Sequence, residues 1–349
     1  LNPWAVLSDW SRDSSVQMAH DAEYRDYRRV VLERRGVFGM EHLFIDPKTA
    51  VPVKLDRFEP HYLWGQQHVE YVYSTWLLAD GVAYPASAIR LIDGANEFSR
   101  TIGKLELVAR DSAPAVAVPA DAPTMTPALP GFLQAIAPDT ERIGHNAYVL
   151  RNPGYGEVVT LARDTVFVFD ATQSEDRARQ DSVWIGKLFP GTHPIVLVVT
   201  DLAWPHVSGV RFWVASGATV VSHEMSRTFL ADIVQRRWTM APDKLEKNRK
   251  TAPLRFRALT DSLTLAGGDI TLYPINGIGS EGAVMAYIRP LRFLWASDFV
   301  QTTTQPSLYA LEVWRAARRV GLDPLAVAAE NLKQVPWTIM DTLSKGLAV

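Results

Sequence analysis

Between residues 111 and 131 the chain reads DSAPAVAVPADAPTMTPALPG, with prolines at 114, 119, 123, 127 and 130. Proline fixes its own φ and offers no backbone N–H, so this stretch favours extended chain without a buried face. It divides the 349 residues into a first part, 1–110, a linker, 111–131, and a second part, 132–349. Two domains also suit the length, since a single core rarely grows past roughly 250–300 residues.

The first part reads as β-rich after a short helical start. Tyr27–Arg34, Glu41–Ile45, Val51–Phe58 and Val69–Leu78 are β-branched or aromatic runs separated by turn residues. Val69, Tyr71, Tyr73 and Thr75 alternate with Glu70, Val72, Ser74 and Trp76, as in an antiparallel strand buried on one face. The second part alternates strands and helices. Strands are expected at Asn146–Leu150, Glu157–Leu161, Thr165–Asp170, Pro194–Thr200 and Ala218–Val221. Helices are expected at Gln173–Leu188, from Ser222 as N-cap to about Arg237, and at Pro306–Val320, with a helical turn at Gly209–Ser216.

Composition narrows the chemistry. There is no cysteine, which excludes disulfides, thiolate metal sites and a cysteine nucleophile. Any transition-metal site must use the eight histidines and carboxylates. A net charge of −2 gives no footprint for nucleic acid. The longest apolar run, Ile195–Val199, is far too short for a membrane span. The opening Leu-Asn-Pro-Trp suggests a trimmed chain or a mature protein whose leader has been removed. The expectation leans to an exported, periplasmic protein over a cytoplasmic one.

Along the second part a succession of landmarks becomes specific. Asn146–Leu150 is followed by Val168-Phe169-Asp170-Ala171, then by Ile195-Val-Leu-Val-Val-Thr200-Asp-Leu-Ala-Trp-Pro-His206-Val-Ser-Gly209. Gly217–Glu224, Gly279–Gly282 and Phe293–Asp298 come next. This order resembles the metallo-β-lactamase superfamily, an αββα four-layer sandwich of mostly hydrolytic enzymes. The resemblance covers about 140–340, and Asp80–Pro85 is similar to the β-rich domain preceding this fold in some members. The family motif T-H-x-H-x-D-H-x-x-G falls on Thr200–Gly209, and its framing Thr and Gly match. Most ligands do not. Asp201, Ala203 and Pro205 stand in place of His, His and Asp, and only His206 remains. A further family histidine falls at Gly279, the bridging aspartate is Asp298, and Asn331 occupies the last histidine's slot to within one residue.

A catalytic zinc needs about three protein ligands. The resemblance therefore implies a dismantled dinuclear site and no tightly bound zinc, so no cofactor is expected. The remaining metal option is one weakly held divalent ion on Asp201, His206 and Asp298. The leading expectation is a hydrolase- or lyase-type enzyme that works without metal. Asp201, His206 and Asp298 would do acid–base chemistry on a small organic or ester-like substrate. Trp204, Trp295, His145 and Asn331 would line its pocket. A non-catalytic protein that binds a ligand or partner is the alternative, since fold does not settle function. Outside this set, His42, His61 and His68 read as surface or satisfied histidines, and His223-Glu224 as a helix-cap pair. The basic run in 236–257 reads as a solvated loop, and the tryptophans at 184, 213, 238, 314 and 337 as mostly core.

Overall fold

The computed structural model describes residues 2–19, 22–24, 27–36, 38–106, 137–152, 154–344 and 347. These divide into two compact units, one within Leu1–Met125 together with Arg237–Ala241, the other within Thr126–Arg236 and Pro242–Val349. The expected linker at 111–131 lies wholly within 107–136, outside the described residues.

The first unit is an antiparallel sheet of eight strands. Gln17–Met18, Tyr27–Gly36, Gly39–Ile45, Pro52–His61, Gly65–Ala79, Val82–Ile92 and Ala95–Thr101 lie side by side, and Ala22–Tyr24 pairs with Tyr27–Gly36. Helix Pro3–Trp10, capped by the Asn2 side chain, lays Val6 and Trp10 on Leu43, Leu55 and Tyr73. The last two strands have no counterpart in the sequence reading. They are joined by two-residue turns, Asp80-Gly81 and Asp93-Gly94, in which all four residues take positive φ. Such turns match the twist of paired strands. Ala95–Thr101 is exposed throughout, so it carries no apolar alternation to detect.

On this sheet Asp56, His68 and Glu70 converge, but Lys54 already sits among them as the cation. His68 Nε2 lies 2.6 Å from Asp56, and His61 Nδ1 accepts from the Leu63 and Trp64 amides. Both histidines are satisfied, as expected of them.

The second unit holds two stacked sheets. Seven strands run in the order Arg255–Leu259, Thr219–His223, Ile195–Val198, Thr165–Phe169, Tyr155–Ala162, Ala147–Asn152, Asp139–Gly144. The first four are mutually parallel and the rest antiparallel. Six strands form the other sheet: Leu263–Leu265, Ile270–Pro274, Val284–Ile288, Phe293–Trp295, Ala326–Ala329, Leu332–Pro336. The pleat of Val284–Ile288 builds two layers at once. Val284, Ala286 and Ile288 meet Phe167, Val198 and Val221 of the seven-stranded sheet. Met285 and Tyr287 face Val313 and Ala317 of helix Leu308–Arg319 instead. Helices Glu175–Leu188, Val210–Ala215 and Arg227–Gln235 belong to the same unit. This is the αββα four-layer architecture, with a separate β-rich unit before it.

Three local expectations change. Ser222 lies inside strand Thr219–His223, where its hydroxyl donates to Val199 O. The cap is His223, whose side chain accepts from Met225 N. The basic run is no uniform solvated loop. Arg237–Ala241 joins the first unit, and Arg249 donates to the carbonyls of Val234, Gln235 and Arg236. Buried Arg211 bonds Ile233 O, Val234 O and Arg236 O from the other side while pairing with Asp243. Two guanidiniums thus satisfy the carbonyls that end helix Arg227–Gln235. Of the five tryptophans expected in the core only Trp213 is fully buried, the others being half-exposed.

Candidate active site

The site forms where four strand ends of the two sheets meet. Strand Thr165–Phe169 ends at Asp170, which takes φ 74°. Gln173 and Ser297, on neighbouring turns, also take positive φ, at 65° and 54°. Non-glycine residues in this region cost energy and gather where function over-determines the backbone. Asp170 is fully buried and accepts from Thr200 N at 2.8 Å, from the Thr200 hydroxyl at 2.7 Å and from Trp295 Nε1 at 3.1 Å.

Pro205 explains the local path after Thr200. It stands in the first turn of the short helix Trp204–Val207, where its fixed φ is favourable and its missing N–H is not needed. The Asp201 side chain turns back to accept from Ala203 N at 2.6 Å. His206 then points inward and is fully buried. Its backbone carbonyl accepts from Ala171 N at 2.9 Å, and Gly209 N donates to Ala171 O at 2.8 Å. A Cβ on Gly209 would lie 2.8 Å from Ala178 Cβ and 3.2 Å from Ala171 O, so only glycine allows this approach. Gly209→Ala is expected to cost about 1–3 kcal/mol, read from the urea midpoint, because helix Glu175–Leu188 must be pushed away.

His206 lies between carboxylates. Nδ1 is 3.2 Å from Asp170 Oδ2, and Nε2 is 3.5 Å from Glu330 Oε2. Neither contact has hydrogen-bond geometry, and among the described residues both His206 nitrogens and both Glu330 oxygens are buried without a hydrogen-bond partner. Donor atoms of His206, Asp298 and Glu330 lie within 4.8 Å of one another. Glu330 ends strand Ala326–Ala329 and is 1% exposed. Its backbone is pinned: Gly156 N and Arg151 Nη1 donate to its carbonyl, and its own N–H donates to Ser297 O. Asp298 is half-buried and accepts from Asn331 Nδ2 at 3.1 Å and Gln301 Nε2 at 3.2 Å.

The electrostatics follow from burial. Desolvation alone would lower His206, but the charges of Asp170 and Glu330 outweigh it and push the imidazole up to about 10. Burial pushes Glu330 up to about 8 against the pull of His206. Burial also raises Asp298, opposed by His206 and its two amide donors. One imidazole therefore serves several carboxyl groups that resist ionising together.

Of the expected residues, the structure brings His206 and Asp298 together but replaces Asp201 with Glu330 in the trio. Asp201 Oδ1 accepts from Ala203 N in its own turn, while its charge acts on His206, Asp298 and Glu330. Glu330 falls within the one-residue latitude of the last histidine's slot. Asn331 is exposed and serves only by bonding Asp298. Trp295 is no stacking surface, being fully buried with its N–H on Asp170. His145 is exposed in the turn before Ala147–Asn152, at the opposite end of that strand from Arg151, so it lines no part of this site. Trp204 is half-buried and meets Tyr155 edge-on at 5.5 Å. Asp170 and Glu330 were not foreseen as site residues. The signal available for Glu330 was its carboxylate beside Asn331 in a slot where the resemblance asks for a ligand.

A zinc pair does not fit these residues. Ala203 and Gly279 have no donor atom, Pro205 has no carboxylate, and Asp201 is bonded elsewhere. A single divalent cation does fit. His206 Nδ1 lies on the Asp170 side, which leaves Nε2 toward Glu330. Two carboxylates and one imidazole are a donor set suited to zinc or manganese.

No protein-family model matches the sequence, and no curated protein matches it. Solved structures do. DIM-1 metallo-beta-lactamase aligns at 14% identity and TM-score 0.47, over 60% of this chain and 96% of that one. The metallo-beta-lactamase from Erythrobacter litoralis, with beta mercaptoethanol in its active site, aligns at 12% identity and TM-score 0.46 over 60% and 96%. That from Pontibacter korlensis aligns at 15% and 0.47 over 59% and 97%. The second unit has the metallo-beta-lactamase fold, as its own strand order and layers lay out. At these identities the likeness extends to fold alone.

Proposed function

We propose that this chain is a hydrolase-type enzyme acting on a small, ester-like organic substrate through one divalent cation rather than a zinc pair. The observation that carries this reading is the trio His206, Asp298 and Glu330, in which the buried His206 nitrogens and Glu330 oxygens lack hydrogen-bond partners among the described residues. Buried polar groups are normally satisfied, so such a set calls for a counter-charge. A cation held there would supply Lewis-acid polarisation of a carbonyl oxygen. Asp170, 3.2 Å from Nδ1, attracts a charged His206 ring from the side away from Glu330. Asp298, the more exposed carboxylate, is steadied by Asn331 and Gln301 and is placed to take a proton from an attacking water.

A metal-free acid–base reading has its own support. Glu330, at about 8, holds a proton that it can exchange near neutral pH beside a charged His206. Metal analysis combined with turnover on a panel of small esters separates the two. One zinc or manganese per chain is expected, with hydrolysis lost on chelation and restored by the ion. Undiminished hydrolysis by the chelated protein would establish the acid–base reading instead. A protein that neither holds a cation nor hydrolyses any ester would sink both and leave a binding protein.

A further inference from the structure

Beside helix Leu308–Arg319, the loop at Asn276–Ile278 closes a cavity of about 500 Å³. That volume suits a small organic ligand. One wall is apolar, from Ile278, Leu308 and Leu311. Ile278 is 91% and Leu308 65% exposed, unusual for side chains with no polar end. The facing groups are polar. Glu312 Oε2 is buried, and among the described residues it has no hydrogen-bond partner. Gly277 makes this possible: a Cβ there would lie 1.9 Å from the Glu312 carboxyl carbon. Arg315, one helical turn on, also lines the cavity and makes no hydrogen bond or ion pair among the described residues. Arg319, by contrast, is committed to the carbonyls of Pro274 and Ile275.

The cavity thus presents an unpaired carboxylate, an unpaired guanidinium and an exposed apolar wall within one helix face and its loop. We infer that it binds a free α-amino acid with a large apolar side chain. The ammonium meets Glu312, the carboxylate meets Arg315 in the planar geometry that guanidinium favours, and the side chain covers Ile278 and Leu308. No part of this rests on the trio around His206.

The test is calorimetric titration of the full chain with L-phenylalanine, 3-phenylpropanoate and 2-phenylethylamine. Phenylalanine is expected to bind at least about tenfold tighter than either compound with one charge, because each leaves one buried or facing charge unmet. Glu312→Gln is expected to remove the preference over 3-phenylpropanoate, and Arg315→Gln the preference over 2-phenylethylamine. Arg315 is exposed, so its variant keeps the test intact should the Glu312 variant fail to fold. Absence of phenylalanine binding, equal affinity for all three compounds, or affinities unmoved by Arg315→Gln would each overturn the assignment.

Discussion

Glu330→Ala is expected to weaken binding of a divalent cation by roughly 100-fold or more, whereas Asp201→Ala changes it by less than about threefold. Glu330 contributes one of three donors that lie within 4.8 Å of one another. Asp201 stands outside that trio, and its Oδ1 already accepts from Ala203 N at 2.6 Å. Titration of the chelated protein with zinc measures both. Equal losses in the two variants would return Asp201 to the site and remove the trio.

The same groups set a pH dependence. In the folded chain His206 sits near 10 against 6.5 unfolded, and Glu330 near 8 against 4.5. Both folded values are raised, so the folded state binds more protons than the unfolded state above about pH 5. The stabilisation is complete at low pH and is lost as pH climbs through 8 and then 10. For the coupled pair this amounts to something on the order of 3 kcal/mol in the cation-free protein. A cation must displace these protons, so its affinity rises over the same range. A chelated protein whose urea midpoint stayed flat from about pH 6 to 9 would contradict this account. Glu330→Gln is expected to flatten the profile below about pH 6.5 and to reduce its slope above, because the Glu330 charge also helps to hold His206 up.

Arg177→Met is expected to destabilise the fold by about 3–5 kcal/mol in urea denaturation. Arg177 is 1% exposed and lies against Asp181 and Glu157, at 0% and 1%. Its guanidinium also donates to Leu150 O at 3.2 Å and Gln173 Oε1 at 3.3 Å, tying helix Glu175–Leu188 to strand Ala147–Asn152. Burial already lifts Asp181 to about 6 and holds Glu157 well above its ordinary range, even with the arginine present. Without it two buried carboxyls would face one another uncompensated. Adding Glu157→Gln and Asp181→Asn to Arg177→Met should recover most of the loss, since an uncharged buried cluster needs no counter-ion. A cost below about 1 kcal/mol for the single variant would mean that water reaches the cluster.

Four of the eight strands of the first unit and five of the seven-stranded sheet were legible because each side-chain alternation or short apolar run is local, whereas the six-stranded sheet was marked only by the landmark Phe293–Asp298. Val69 and Tyr73 are buried on the face the alternation marks, but the pattern breaks at Thr75, which takes φ 53°, is exposed and drops out of the pairing with Val82–Ile92. Ala95–Thr101 was not legible, since an edge strand exposed on both faces has no such pattern. His223 as cap was half legible: the pair with Glu224 was placed at a helix start, but the sequence offered Ser222 equally well.

The site divides along the same line. The sequence by itself determined what could not be there: no thiolate, and no donor at Ala203, Pro205 or Gly279. The resemblance also placed His206 and Asp298 in neighbouring ligand slots of one site. Only the tertiary structure decided which third carboxylate joins them. Asp201 and Glu330 are both acidic and both near the site in sequence register. Asp201 follows a strand into an exposed turn with an amide to bond. Glu330 is carried inward by a backbone pinned to Gly156, Arg151 and Ser297, residues 174, 179 and 33 positions away. The long-range hydrogen bonds that turn a carboxylate inward leave no local trace in sequence, and neither does the desolvation that then raises its pKa.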